Sequence, residues 1–460
     1  MSWFQSSFSL DRRSLGLMRI LTALAVLVDL VFRSQVLVEL HSDAGAFPRS
    51  LAARGVDIAW VFPHFWVGDS VGVGLLFVAH AFLAILLFSG IQVRWVGFLL
   101  WFFQLSITHR TSPSASGGDL LLVALLFWGI FLPWDETFTK RQGFRPSVPA
   151  PPTFFGVASV ALTLQVAVIY LLAFWFKSGS QWRWDLTAVQ ASLLAHHYAT
   201  SIGATFKELG FPLKFLTAGV LVLEALVLPS LLITWRKRIL RQFVLLGLAV
   251  FHAGLIFFLD LGAFPFASLA LLAGVLPSRV WGHEEPLAQG RERPLAKVLA
   301  LLFLTLMLWR NLSTAGWSPL PQPPWSIYLQ RFQMQQSWTL FTPDAGNYLW
   351  WVSLHGESAN KNWDLFPNFR PYEGKVPEVA SQAIGHHRWT KYLGRVLDGS
   401  WYNANELLGD FWCRRLTRLD PSNPPQKLEV FVHHVPITKS MAYGSPTTTR
   451  VFQRSCGERP

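Results

Sequence analysis

The hydrophobic positions of this chain gather into long runs separated by short polar loops. Runs of spanning or near-spanning length fall at residues 15–36, 71–92, 95–109, 118–133, 154–176, 211–235, 239–260, 263–281 and 295–311. A helix needs about 20 consecutive apolar residues to cross the hydrocarbon core of a bilayer, so the pattern predicts about nine membrane helices. The third and fourth runs are short, which predicts helices that are tilted, partly re-entrant or buried among their neighbours.

Beyond residue 312 the pattern changes. A proline-rich linker, Pro319 to Pro324, leads into aromatic-rich stretches such as Tyr348–Val352 and Leu428–Val432 that read as short strands, and Pro421 to Pro425 reads as a turn or linker between strands. The predicted fold class is an all-α polytopic membrane bundle over residues 1–312, with a small α+β extracytoplasmic C-terminal domain over residues 313–460.

Every second junction between runs is basic: Arg12/Arg13, Arg94, Lys140/Arg141/Arg145, Arg236/Lys237/Arg238/Arg241 and Arg279/Arg291/Arg293/Lys297. Lys and Arg in short loops stay on the cytoplasmic side, which predicts a cytoplasmic N-terminus. An odd number of spans then carries the C-terminal domain across, and the expected location is a bacterial inner membrane with that domain in the periplasm or outside the cell. Arg12 and Arg13 precede a run without a small-residue cleavage site, so the first run reads as a retained span.

Composition agrees with a lipid solvent. Hydrophobic residues make up 52% of the chain and charged residues 14%, against roughly 25% charge in soluble domains. The net charge of +12 is scattered over loops and forms no aromatic-interleaved stripe, which excludes nucleic acid as a partner. Cys413 and Cys456 are the only cysteines, too few for a cysteine metal cluster; a single disulfide and two unpaired thiols are equally open. No metal site is expected.

Ionisable residues inside apolar runs mark candidate sites, because lipid does not solvate them. Asp29 and Arg33 have the four-residue spacing of a self-neutralising helical pair, with Arg19 on the same run. Glu224, in the middle of its run, must be protonated or meet a buried cation. His80 and His252 read first as hydrogen-bonded core residues. In the loop His109 to Asp119, Arg110 is placed to pair with Asp119 as a staple, or to form an anion site with the next helix start. Lys177 ends the fifth run; it either snorkels to the interface or, held against aromatic surface, serves as a base.

With these residues in order, residues 10–355 resemble the HTTM family, the transmembrane module shared by vitamin K-dependent gamma-carboxylases and many bacterial proteins. The resemblance is carried by Arg19 and Asp29; by Ser42 to Arg49; by His80, Gly90 and Arg94; and by Ser106, Arg110 and Gly117-Gly118-Asp119 before Phe131-Leu132-Pro133. Gln165, Tyr170 and Lys177 follow at the family's spacing, then Trp182 to Asp185, Glu224 to Pro229, Phe251-His252 and Trp338 to Pro343.

The resemblance implies an outer-leaflet site with Lys177 as base and His252 beside it. Tyr170, Gln165, Arg110, Asp119 and Glu224 would contact a reduced naphthoquinone, either vitamin K hydroquinone or menaquinol. In the carboxylases oxygenation of the hydroquinone yields a strong base that removes a glutamate γ-proton before carbon dioxide is taken up. The partners expected are the lipid bilayer and an extracytoplasmic peptide or protein substrate. The alternative is a non-enzymatic membrane partner or export factor that binds protein through tail aromatics such as Trp350 and Trp351. A transporter is disfavoured because the sequence carries no inverted repeat.

Overall fold

The computed structural model describes residues 3–145, 152–195, 197–232, 238–282, 293–317, 326–334, 338–399, 401 and 404–457. The expected linker Pro319 to Pro324 and the basic residues Arg236, Lys237 and Arg291 lie outside the described residues.

Each of the nine apolar runs forms a helix: α1 (Arg12–Ser34), α2 (Ser70–Ser89), α3 (Val93–Arg110), α4 (Gly117–Phe131), α5 (Val157–Phe176), α6 (Phe211–Leu232), α7 (Arg238–Phe258), α8 (Phe264–Gly274) and α9 (Pro294–Thr314). Six of them, α1, α2, α5, α6, α7 and α9, are long and apolar enough to cross a membrane. α8 corrects the expected 263–281 run: its 11 residues reach only about 16 Å, and the chain leaves the helix at Val275. Local chemistry sets the boundaries. Asp11 and Asp69 accept the first free amides of α1 and α2, and Ser116 with Asp119 forms a reciprocal cap on α4. Gly90 ends α2 at φ +72°, where a Cβ would also meet the Thr139 backbone at 2.8 Å.

The bundle has two distinct ends. At one, the strand pair Leu10–Asp11 with Thr153–Phe154 ties the start of α1 to that of α5, Arg94 faces Asp135 at 3.5 Å, Ser14 Oγ donates to Leu276 O at 2.9 Å and Arg241 donates to Val275 O at 2.7 Å. These contacts gather the basic junctions on one side. The other end carries the C-terminal domain. Between the ends, α2, α7 and α9 expose apolar side chains such as Val71, Leu75, Phe82, Phe243, Val250, Val298 and Leu302, a surface that water does not tolerate and lipid does.

The C-terminal domain contains β1 (Tyr348–Glu357), β2 (Asn362–Leu365), β3 (Lys427–Pro436) and β4 (Thr447–Ser455) with α11 (Ala380–Ile384), α12 (His387–Val396) and α13 (Ala404–Leu419). The four-stranded antiparallel sheet runs β2-β1-β3-β4, with Val352 opposite Val432. Both predicted strands are present, and the expected α+β character holds. Pro421 to Pro425 joins α13 to β3, however, and not two strands. Strand alternation sends Val352 and Leu354 onto α12 and α13, while Leu349 and Trp351 enter a second small core with Ala380 and Val435. Cys413 on α13 and Cys456 after β4 form a disulfide, which accords with an extracytoplasmic domain.

This domain is not a free tail. Its main core also takes in Val36, Leu40, Phe47 and Leu51 from the loop after α1. The segment after α9 packs back into the bundle too: a short helix α10 (Ser326–Arg331) is followed by Phe332, whose ring stacks on Trp101 at 6.0 Å, and by Trp338, buried in the bundle core. Contacts of the post-α9 segment therefore cross the expected boundary at residue 312.

Candidate functional site

Lys177 does not snorkel. It caps the C-terminus of α5, and its side chain is buried, with Nζ donating to Glu224 Oε1 at 2.6 Å and lying 5.0 Å from the Trp182 ring centroid. Glu224 thus meets the buried cation that its position in α6 requires. The backbone at Lys177 is fixed by Arg183, whose guanidinium donates to the carbonyls of Lys177 at 2.7 Å and Phe174 at 2.6 Å. A cation at these last carbonyls also suits the negative end of α5. Trp175 turns outward, half exposed, against Trp317.

Two helical turns before Lys177, on the same helix face, Tyr170 Oη shares a hydrogen bond of 2.8 Å with His252 Nε2 on α7. His252 lies in the field of Lys177, and Tyr170 in that of Glu224. Lys177, Glu224, Tyr170 and His252 therefore form one neighbourhood between α5, α6 and α7. It is incompletely bonded: Glu224 Oε2 and His252 Nδ1 have no hydrogen-bond partner among the described residues. Gln165 is not brought to it; its Oε1 accepts from Trp128 Nε1 of α4 at 3.4 Å.

Arg110 and Asp119 belong elsewhere, and they do not pair. Arg110 donates to Phe47 O at 2.8 Å and His41 O at 3.1 Å, holding the loop after α1. Asp119 instead joins Asp29, Arg33 and Arg388, four fully buried residues that form one ionic cluster. The i,i+4 pair of Asp29 and Arg33 is present at 2.7 Å. Arg388, reaching in from α12, binds both Asp29 and Asp119. Nothing in the sequence singles it out: its aspartates lie 359 and 269 residues earlier.

A cavity of about 1020 Å³ lies between one end of the bundle and the C-terminal domain. Lys177, which was expected to open into an outer-leaflet pocket, does not line it; nor do His252, Tyr170 or Glu224. One aromatic layer intervenes. The His252 ring meets Phe264 edge-on at 5.7 Å, and Trp182, under Lys177, donates its indole N–H to Phe341 O at 2.8 Å; Phe264 and Phe341 both face the cavity. Trp351, proposed as an exposed docking residue, is buried, and Trp350 is half-buried beside His197 at 5.7 Å, because both faces of β1 are covered.

The fold defines a multi-pass integral membrane protein with one end of its bundle closed by a disulfide-bonded α+β domain. No family model, curated protein or solved structure matches the chain.

Proposed function

We propose that the chain is a quinol-dependent enzyme of a bacterial cytoplasmic membrane, similar to the vitamin K-dependent carboxylases, with Lys177 and Glu224 as its acid–base unit. In this reading all nine apolar helices lie in the membrane, with the N-terminus inside and the C-terminal domain outside. The observation that carries it is the buried Lys177–Glu224 pair beside Tyr170–His252, with Glu224 Oε2 and His252 Nδ1 left over for a ligand.

Burial removes the hydration that favours charge, so Lys177 and Glu224 depend on each other, and on the Trp182 ring, in place of water. A proton passes between Lys177 and Glu224 with no change in net charge, and a proton taken up by the pair from a bound hydroquinone would leave a ligand anion that balances the charge gained. Tyr170 and His252 orient a polar ligand group, and the surrounding apolar walls exclude water that would quench a strong base. A reduced naphthoquinone, of the vitamin K hydroquinone or menaquinol type, supplies the oxygen-reactive anion when bound. The leftover polar atoms in an apolar setting fit such a molecule. Arg110, Asp119 and Gln165 have other partners and leave the proposed cofactor set. The resemblance extends this to carboxylation, or a related proton abstraction, on an extracytoplasmic peptide or protein.

The test is to purify the protein from its host membrane and identify bound quinone by mass spectrometry, for wild type and Lys177→Ala. The expected result is quinone in wild type and about tenfold less in the variant, a loss of about 1.4 kcal/mol. Absence from both preparations overturns the reading in favour of a non-enzymatic membrane partner.

A further inference from the structure

Asp57, Asp260 and Asp344 line the cavity with Arg331, Lys391 and Arg395, and two of the cations stand on one wall without a direct ion pair. His387, Lys391 and Arg395 follow at four-residue spacing along α12 and all three line the cavity. His387 Nδ1 lies 3.4 Å from Asp260 Oδ1, and Arg331, also on the cavity, pairs with Asp57 at 3.1 Å. Asp344 accepts the Gln181 amide at 3.0 Å. Lys391 and Arg395 differ from these, since among the described residues neither has a carboxylate within ion-pair distance. Lys391 Nζ lies 4.7 Å from the Tyr198 ring, and Arg395 donates to the carbonyls of Ser112 at 2.9 Å and Pro113 at 3.0 Å. A ring face and two carbonyls orient these cations, and Asp119 and Asp398 act on Arg395 from beyond ion-pair distance.

Much of the rest of the wall is apolar. Leu120, Leu261 and Phe264 come from the ends of membrane helices and their junction, and Leu340 and Phe341 from the segment after α9. A small inorganic anion would match the two cations and leave this wall wet. A neutral lipid would cover the wall and leave Lys391 and Arg395 without a direct ionic contact. The volume is that of a site for a sizeable ligand.

We propose that this cavity binds an anionic amphiphile, with its phosphate or carboxylate head on Lys391 and Arg395 and its apolar part along Leu261, Phe264, Leu340 and Phe341. The inference uses none of the residues of the quinol reading, and the two fail independently.

Full-length protein in phosphatidylcholine nanodiscs would be titrated with dodecyl phosphate, dodecanoate, dodecanol and inorganic phosphate while thermal unfolding is followed. The two anionic amphiphiles should give a saturable rise of roughly 3–5 °C at a hundredfold excess over Kd. Lys391→Gln should weaken that binding about tenfold, and Lys391→Arg should restore it. No shift, an equal shift with dodecanol, or an undiminished shift in Lys391→Gln overturns the proposal, and an equal shift with inorganic phosphate reduces it to a bare anion site. Should Lys391→Gln not fold, lipid extraction of wild-type protein decides: a retained anionic lipid supports the site, and its absence after purification overturns it.

Discussion

Two buried ionic groups sit near one end of this bundle, and they are built on opposite principles. In the cluster of Asp29, Arg33, Asp119 and Arg388 all four carboxylate oxygens are bonded, with Gln104 Nε2 at 3.2 Å from Asp29 and the Ser116 amide at 2.6 Å from Asp119 completing the shell. Two positive and two negative groups cancel. The Lys177–Glu224 pair also cancels, but one carboxylate oxygen is left bare and the adjacent histidine keeps a free nitrogen. A buried polar atom without a partner costs about 1–3 kcal/mol. In the first group every carboxylate oxygen is occupied, with Arg388 Nε and the neighbouring Gln104 Oε1 unbonded, and it holds two domains together; in the second the carboxylate itself keeps a bare oxygen, beside an aromatic partition and a cavity.

Arg388→Ala should have the largest effect. It leaves Asp29 and Asp119 with a single buried cation, a loss of about 3–5 kcal/mol. Limited proteolysis and thermal unfolding in detergent should show the C-terminal domain released at lower temperature; unchanged protease resistance would break the contrast by showing that the shared apolar core alone holds the domain.

A double-mutant cycle sharpens the other half. Lys177→Met alone should destabilise by about 2–3 kcal/mol, because Glu224 then stays buried without its cation. Adding Glu224→Leu should recover most of that loss, as apolar replacements of buried pairs often do, while quinone retention stays abolished. Full retention of quinone in the stable double variant would assign the pair to architecture.

The smallest effect belongs to neither group and calibrates both. The His355 imidazole lies 2.9 Å from Asp364 on the sheet, which raises its pKa above the ordinary value near 6.5. Stability from this contact is complete below that value and declines as pH rises through the raised one. Because the pair is partly exposed, the decline should stay below about 1 kcal/mol and vanish in His355→Asn, read by urea unfolding at pH 6 and pH 8.

How far these features are legible depends on sequence separation. The apolar runs announce their helices because lipid imposes length and composition locally, and the Asp29–Arg33 pair is visible because both residues share one helix. Glu224 signals its need for a cation and Lys177 its unusual place, yet their union depends on how α5 packs against α6. Arg388 gives no signal, since a polar residue on a short extramembrane helix ordinarily faces water. The exposed-tail expectation for Trp351 failed for a related reason: strand alternation tells which residues share a face but not that both faces of this sheet are covered.

Arg388 also sets an order of events during biogenesis. It lies 74 residues past the end of α9 (388 − 314), so it is synthesised after every membrane helix. Until the C-terminal domain docks, Asp29 and Asp119 share one cation, Arg33, and the cluster carries one uncompensated negative charge. The bundle thus waits for a guanidinium from the last-made domain, and docking of that domain is the step that locks the first helix.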